Sequence, residues 1–312
     1  MTAALGLYPE VTRANGQGSI PRRTLGKTNL QVSLLGLGGW HIGAPRESAE
    51  GERIIRSAMD AGVNFLDNSH DYHAGDSERR MGKAIKGRRD EVVVMTKFNS
   101  RDRKGAMQEL ESSLRLLQTD HVDVWQIHSV ERPEDPEWLF SENGAMEALV
   151  QAKKEGKTRF VGFTGHKNPD YHYAMLERDF DWDTIQMPLN VLDAHFRSFE
   201  SKVLPKANSL NVGVIGMKPL ASSFAVRAAD PIECLHYAMN LPVSITLTGC
   251  ESQERLEQAL QAVRTFKPLD KDQVATLLAK TREFAQSGEG EPFKTTTRYD
   301  NRPPASPPPY DA

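Results

Sequence analysis

Three polar side chains stand where apolar runs end, and with a tyrosine close behind one of them they make a set that can move a proton. Asp67 ends NFLD, Lys97 ends VVVMTK, His128 ends VWQIH, and Tyr72 follows five residues after Asp67. A phenol has a reference pKa of about 10, and an adjacent ammonium group favours the phenolate and lowers that value. Lys97 supplies such a charge, Asp67 keeps the lysine ionised and oriented, and His128 offers a hydrogen bond to a substrate oxygen. A proton donor with a tuned pKa beside a second polarising group suits the reduction of a carbonyl. Each residue alone has an ordinary explanation: a strand-end lysine extends to solvent, and an aspartate after a strand caps a turn. Only neighbouring elements that end at one rim would turn the four into a site.

The chain supplies such elements. Short apolar runs at 34–38, 64–68, 91–98, 122–128, 159–164, 184–187, 212–217 and 243–248 read as strands. Amphipathic stretches at 48–61, 77–85, 104–117, 144–154, 170–178, 198–209, 231–240 and 252–263 follow them in turn. In the third, Met107, Leu110, Leu114 and Leu117 recur at helical steps, as do Leu256, Ala259, Leu260 and Val263 in the eighth. Eight strand-helix units predict an α/β fold of the closed (β/α)8 TIM-barrel type, whose active sites gather at the C-terminal ends of the strands. An open dinucleotide-binding sheet would need a G-x-G-x-x-G turn, and the glycines at 36, 38, 39 and 43 do not provide one. Residues 23–33 read as a β-hairpin before the barrel, and 270–284 as an extra helix after it, with Val274, Leu277, Leu278 and Phe284 on one face.

Composition sets the outer limits. With 39 basic and 42 acidic residues among 312, the formal charge is −3, which provides no broad positive field for nucleic acid or an anionic membrane. No stretch reaches the roughly 18 apolar residues of a membrane span. Two cysteines, Cys234 and Cys250, make neither a disulfide framework nor a metal pattern, and a reducing compartment, the cytoplasm, is expected. Residues 1–20 read as a polar tail without a secretory leader, 21–286 as the barrel domain, and the proline-rich 287–312 as a surface tail.

The runs NFLDNSHDYHAGDSERRMGKAI, VVVMTKF, DVWQIHSV, FVGFTGH, IQMPLN, GVIGMKPL and TLTGCESQERLEQAL resemble, in order, the successive motifs of the aldo-keto reductase superfamily. The resemblance covers about residues 21–263. It implies an NAD(P)H-dependent oxidoreductase that interconverts a carbonyl and an alcohol, with Asp67, Tyr72, Lys97 and His128 as the catalytic tetrad and Tyr72 as general acid or base. It also assigns a cofactor site. Thr164 and Gln186 would hold the nicotinamide carboxamide, and Met217, Pro219 and Leu220 follow strand seven along the cofactor. Gly249 and Ser252 would lie at the adenosine phosphates, and Arg255 at the adenine and the 2′-phosphate. Trp40, His41 and Phe98 would border the substrate. Asn190 is read as structural.

Three positions depart from the family pattern. Thr164-Gly165 replaces a Ser-Asn pair, so one carboxamide contact is missing, and whether His166 supplies it is left open. Met217 stands where an aromatic ring usually covers the nicotinamide, and Glu251 opposes a 2′-phosphate that Arg255 would attract. NADP(H) is expected, with NAD(H) as the second candidate and a small carbonyl compound as substrate. A competing reading is a cofactor-sensing subunit on the same fold with little turnover. The histidines 41, 70, 73, 128 and 166 raise a metal-hydrolase reading, but they lack HxH and HExxH spacing.

Overall fold

A short apolar strand with one charged end is stable only when its neighbours bury both faces, and closure of the sheet meets that need. In the computed structural model, which describes residues 19–300, eight parallel strands form one closed barrel. The hairpin strands β1 (Arg22–Thr24) and β2 (Gln31–Ser33) precede it. The barrel strands are β3 (Leu35–Gly38), β4 (Phe65–Asp67), β5 (Val93–Phe98), β6 (Val122–Ile127), β7 (Thr158–Thr164), β8 (Thr184–Pro188), β9 (Gly213–Met217) and β10 (Ile245–Gly249). β10 pairs with β3 and completes the ring. All eight expected runs are strands, to within two residues at either end.

Helices follow in order: α1 (Gly39–Gly43), α2 (Ser48–Asp60), α3 (Asp76–Ile85), α4 (Arg103–Leu117), α5 (Asp135–Phe140), α6 (Ala145–Lys154), α7 (Pro169–Glu177), α8 (Phe199–Lys202), α9 (Leu204–Ser209), α10 (Pro231–Asn240), α11 (Gln253–Thr265), α12 (Lys271–Ala285) and α13 (Pro292–Thr295). The stretch expected as one helix over 198–209 is two, α8 and α9, because Pro205 has no N–H to give the carbonyl of Ser201. Helix α12 begins at a capping box of Asp270 and Gln273.

Side chains alternate along each strand, and the barrel divides them into two cores. Phe65, Val93, Met95, Val124, Ile215, Ile245 and Leu247 form the interior, and the hairpin closes its bottom with Leu25 and Val32. The opposite faces, including Leu66, Val94, Phe98 and Trp125, pack under the helices. Two residues on from Phe65 and from Met95 stand Asp67 and Lys97, so the alternation that fills the interior also aims these two inward at the upper rim.

The described part of the C-terminal segment is not a loose surface tail. Phe293 and Lys294 are fully buried. Lys294 Nζ reaches Asp193 Oδ1 and Glu291 Oε2, each at 2.6 Å, and the carbonyl of Phe196 at 2.8 Å. Asn190, read as structural, gives its amide to Glu291 Oε1 at 3.0 Å. Farther on, Lys167 holds the carboxylate of Asp300 at 2.9 Å. The proline run from 303 and the first 18 residues lie outside the described residues.

Candidate active site

Adjacent strands β4 and β5 bring Asp67 and Lys97 together at 2.5 Å, both almost wholly buried. The ammonium has three protons and three acceptors: Asp67 Oδ1, the carbonyl of Asn68 at 2.7 Å and the hydroxyl oxygen of Tyr72 at 3.3 Å. Tyr72 arrives from the loop after β4, with the Trp40 ring edge-on at 5.4 Å and the His128 ring at 5.6 Å. Since Tyr72 accepts from Lys97, its own proton is left to donate elsewhere.

The phenol is not tuned as expected from the sequence. Burial, together with the charges of Asp67 and Asp71, pushes Tyr72 well above its ordinary value. The tyrosine is therefore held as a neutral, proton-bearing phenol.

His128, directly after β6, is fixed by two residues to which the sequence reading gave no role. Ser69 Oγ lies 3.1 Å from His128 Nδ1 and gives its single proton to Asp71 Oδ1 at 2.6 Å. With that proton spent, Nδ1 must be the donor to Ser69 and to Asp71, whose carboxylate stands 3.5 Å away. Burial raises Asp71, but His128, Ser69 and Asn99 outweigh it and hold the carboxyl far below the usual range. Nε2 of His128 is then an acceptor in the neutral ring and a donor only in the charged one. Asp71 was legible only as the residue before Tyr72.

Asp67 and Tyr72 open on a groove of about 340 Å³ that runs along the ends of β8, β9 and β10. Gln186, Met217, Pro219, Leu220, Gly249 and Arg255 line it. The Gln186 amide oxygen is buried with no hydrogen-bond partner among the described residues. Thr164 stands beside Gln186 across the β7–β8 ladder but does not line the groove. Ser252 does not line it either; its hydroxyl caps α11 by accepting from the N–H of Arg255 at 3.3 Å. Trp40, 52% exposed, and His41 form the other wall. A Cβ at Gly249 would overlap the His41 ring, so glycine is what lets the histidine lie there. Burial pushes His41 below its ordinary value against the pull of Glu251.

Orientation overturns one expectation and answers one open question. Phe98 is not a substrate wall: with Lys97 pointing inward, Phe98 must point outward, where it stacks on Trp125 at 4.4 Å. His166 does not reach the groove; its Nε2 faces Glu131 at 3.1 Å, and its ring meets Phe293 and Tyr299. The histidines take separate partners, with His73 on the carbonyl of Trp40 and His70 toward Glu109. The ligand atoms of Glu131, His166 and Asp300 lie within 4.8 Å of one another, and Lys167 is already bound to Asp300 there. Lys218, next to Met217, lines the groove and was missed, although it directly follows a strand end.

Residues 34–233 match the profile of the Aldo/keto reductase family, nearly two thirds of the sequence, and the chain belongs to that family. It is 31% identical over 202 residues to the aldo-keto reductase YhdN of Bacillus subtilis, covering 59% of this chain and 57% of that protein. To the L-galactose dehydrogenase of Arabidopsis thaliana it is 29% identical over 299 residues, 81% of this chain and 91% of the relative. The chain thus spans a little over half of the first relative and nearly all of the second. The holo form of aldo-keto reductase AKR11C1 from Bacillus halodurans superposes with a TM-score of 0.72 at 23% identity, covering 83% of this chain and 95% of that one. An aldo-keto reductase from Klebsiella pneumoniae in complex with NADPH gives 0.69 at 23%, covering 85% and 95%. These structures share the barrel. Among the described residues no helix is long and apolar enough to cross a membrane.

Proposed function

We propose that the chain reduces an aldehyde or ketone to an alcohol, reversibly, with NADPH as reductant. The observation that carries this reading is the proton arithmetic at Lys97: all three ammonium protons are taken, one by the Tyr72 oxygen, so the Tyr72 hydroxyl can only donate outward, beside the groove. As negative charge grows on a carbonyl oxygen, that proton transfers. An alkoxide is a stronger base than a phenolate, which draws the proton from Tyr72 to the substrate oxygen. Asp67 holds Lys97 in place and charged. His128 donates from Nε2 to the same oxygen in its charged form, with the Asp71 carboxylate behind it.

The groove suits a nicotinamide dinucleotide in three ways. The unpartnered, buried Gln186 oxygen fits a carboxamide N–H, with Thr164 beside it. Met217 offers a polarisable flat contact for a ring, and Arg255 a charged fork for a 2′-phosphate at the far end. Pro219, Leu220, Gly249 and the N-terminus of α11 at Ser252 would border the intervening part. When bound, the cofactor supplies the hydride. Two free, buried cysteines fit a reducing compartment such as the cytoplasm.

The test is turnover. The purified chain is assayed with NADPH and NADH against aldehydes and ketones by cofactor absorbance. Consumption that depends on the carbonyl is expected, and tight cofactor binding with no turnover on any of them would instead favour a cofactor-sensing protein.

A further inference from the structure

Lys218 is a cation in the groove that the proton transfer does not use. It makes no hydrogen bond or ion pair among the described residues. Its backbone lies in the left-handed region at φ 53°, a conformation that costs a residue other than glycine about 1–3 kcal/mol. The ammonium lies over two rings of the C-terminal segment, Phe293 at 5.2 Å and Tyr299 at 5.7 Å from the centroids. Such contacts hold a cation without neutralising it.

The titratable groups that face it are Glu131 after β6, Lys97 on β5, Asp67 on β4, His166 after β7 and His41 on α1. Asp67 has a nearer partner in Lys97 at 2.5 Å and Asp300 in Lys167 at 2.9 Å, whereas Glu131 faces a His166 that burial pushes well below its ordinary value and acts on Lys218 through space, with no ion pair between them. Burial pushes Lys218 down to about 8, with Glu131 acting upward against it. At neutral pH the groove therefore holds one strained, unpaired positive charge. Its charged neighbours Asp67 and Lys97 belong to the Tyr72 end of the groove, whereas Arg255 belongs to the other.

We propose that Lys218 seats a carboxylate carried by the substrate, so that the preferred substrates are oxo acids or carboxyl-bearing aldehydes with a flat apolar body. This rests on reading the groove as a carbonyl-reductase site. A single ammonium balances the one negative charge of a carboxylate. The exposed ring of Trp40 on the groove wall favours a planar, apolar frame for the rest of the molecule.

The experiment compares 4-carboxybenzaldehyde with the uncharged 4-methylbenzaldehyde in the wild type, Lys218→Met and Lys218→Arg, and titrates NADPH into each by fluorescence. In Lys218→Met, KM for the carboxylated aldehyde should rise at least tenfold, with KM for the neutral one and the NADPH dissociation constant changed less than about twofold. In the wild type the KM for the charged aldehyde should climb above pH 8 as the ammonium is lost, and Lys218→Arg should abolish that climb. An equal effect on both aldehydes, or none, overturns the proposal. So does weaker NADPH binding with unchanged aldehyde selectivity, which would assign the ammonium to the cofactor diphosphate. If no aldehyde is reduced, the carbonyl-reductase reading fails by itself. Quenching of protein fluorescence by 4-methylbenzoate, against 4-methylbenzyl alcohol, then tests the anion seat directly: carboxylate binding lost in Lys218→Met supports it, and binding unchanged refutes it.

Discussion

At the scale of single residues, the site depends on which proton sits on which atom. Tyr72→Phe removes one hydroxyl and leaves the ring between Trp40 and His128, so reduction should fall at least about 10²-fold while cofactor binding is kept. Near wild-type turnover in that variant would eliminate Tyr72 as the donor. Its raised pKa has a sign that rates can read. The phenol keeps its proton throughout the neutral range, so reduction should lose nothing through Tyr72 below about pH 10, whereas alcohol oxidation, which needs the phenolate, should climb steadily past pH 10. A plateau in oxidation near neutrality would contradict this. Asp71→Asn removes the carboxylate behind His128 without touching Tyr72 or Lys97. The imidazole then loses the carboxylate that fixes its Nδ1 proton and its orientation, so kcat/KM for reduction should fall about tenfold while cofactor binding is kept. Unchanged kcat/KM would mean that Asp71 merely packs.

At the scale of elements, strands place the charges and the C-terminal segment covers them. Lys294 is fully buried among Asp193, Glu291 and a carbonyl. Lys294→Met would leave two buried carboxylates facing one another, and removal of one partner from such a cluster costs about 3–5 kcal/mol. Urea unfolding should show that loss. By contrast Lys280→Met, whose ion pair with Glu233 is half-exposed on both sides, should cost less than about 1 kcal/mol. Equal losses would show that the C-terminal segment is only lightly attached.

At the scale of the whole molecule, the groove joins Tyr72 at one end to a charge pair at the other, and on the proposed function that pair is expected to set cofactor choice. Arg255 and Glu251 stand 4.0 Å apart at half-exposed positions. At an effective dielectric of 20 and about 6 Å, a unit charge pair is worth roughly 3 kcal/mol before screening, so both residues are expected to act on a 2′-phosphate placed there. NADPH should bind about ten- to a hundredfold more tightly than NADH, roughly 1.4–2.7 kcal/mol. Glu251→Ser should widen that ratio and Arg255→Ala should nearly abolish it, with little effect on NADH in titrations of both cofactors. A ratio near one in the unmodified chain would refute the assignment of Arg255.

The amino-acid sequence by itself determined the barrel and the Asp67–Lys97–Tyr72–His128 set. Both follow from local rules: apolar runs of strand length alternate with helical periods, and a polar residue that ends a run stands at the rim wherever the sheet closes. Orientation was partly legible too. Lys97 inward forces Phe98 outward, which the period of two already contained. Only the tertiary structure decided what depends on contacts distant in sequence. The pKa of Tyr72 is set by its burial beside Asp67 and Asp71, and the hold on His128 by Ser69 and Asp71, 59 residues earlier in the case of Ser69. Lys218 is left without an ion pair among the described residues because Lys97 and Lys167 hold Asp67 and Asp300. The segment after residue 287 reads as a tail because its composition is polar and proline-rich, yet Lys294 is buried by Asp193, 101 residues away, and no local pattern encodes a partner at that distance.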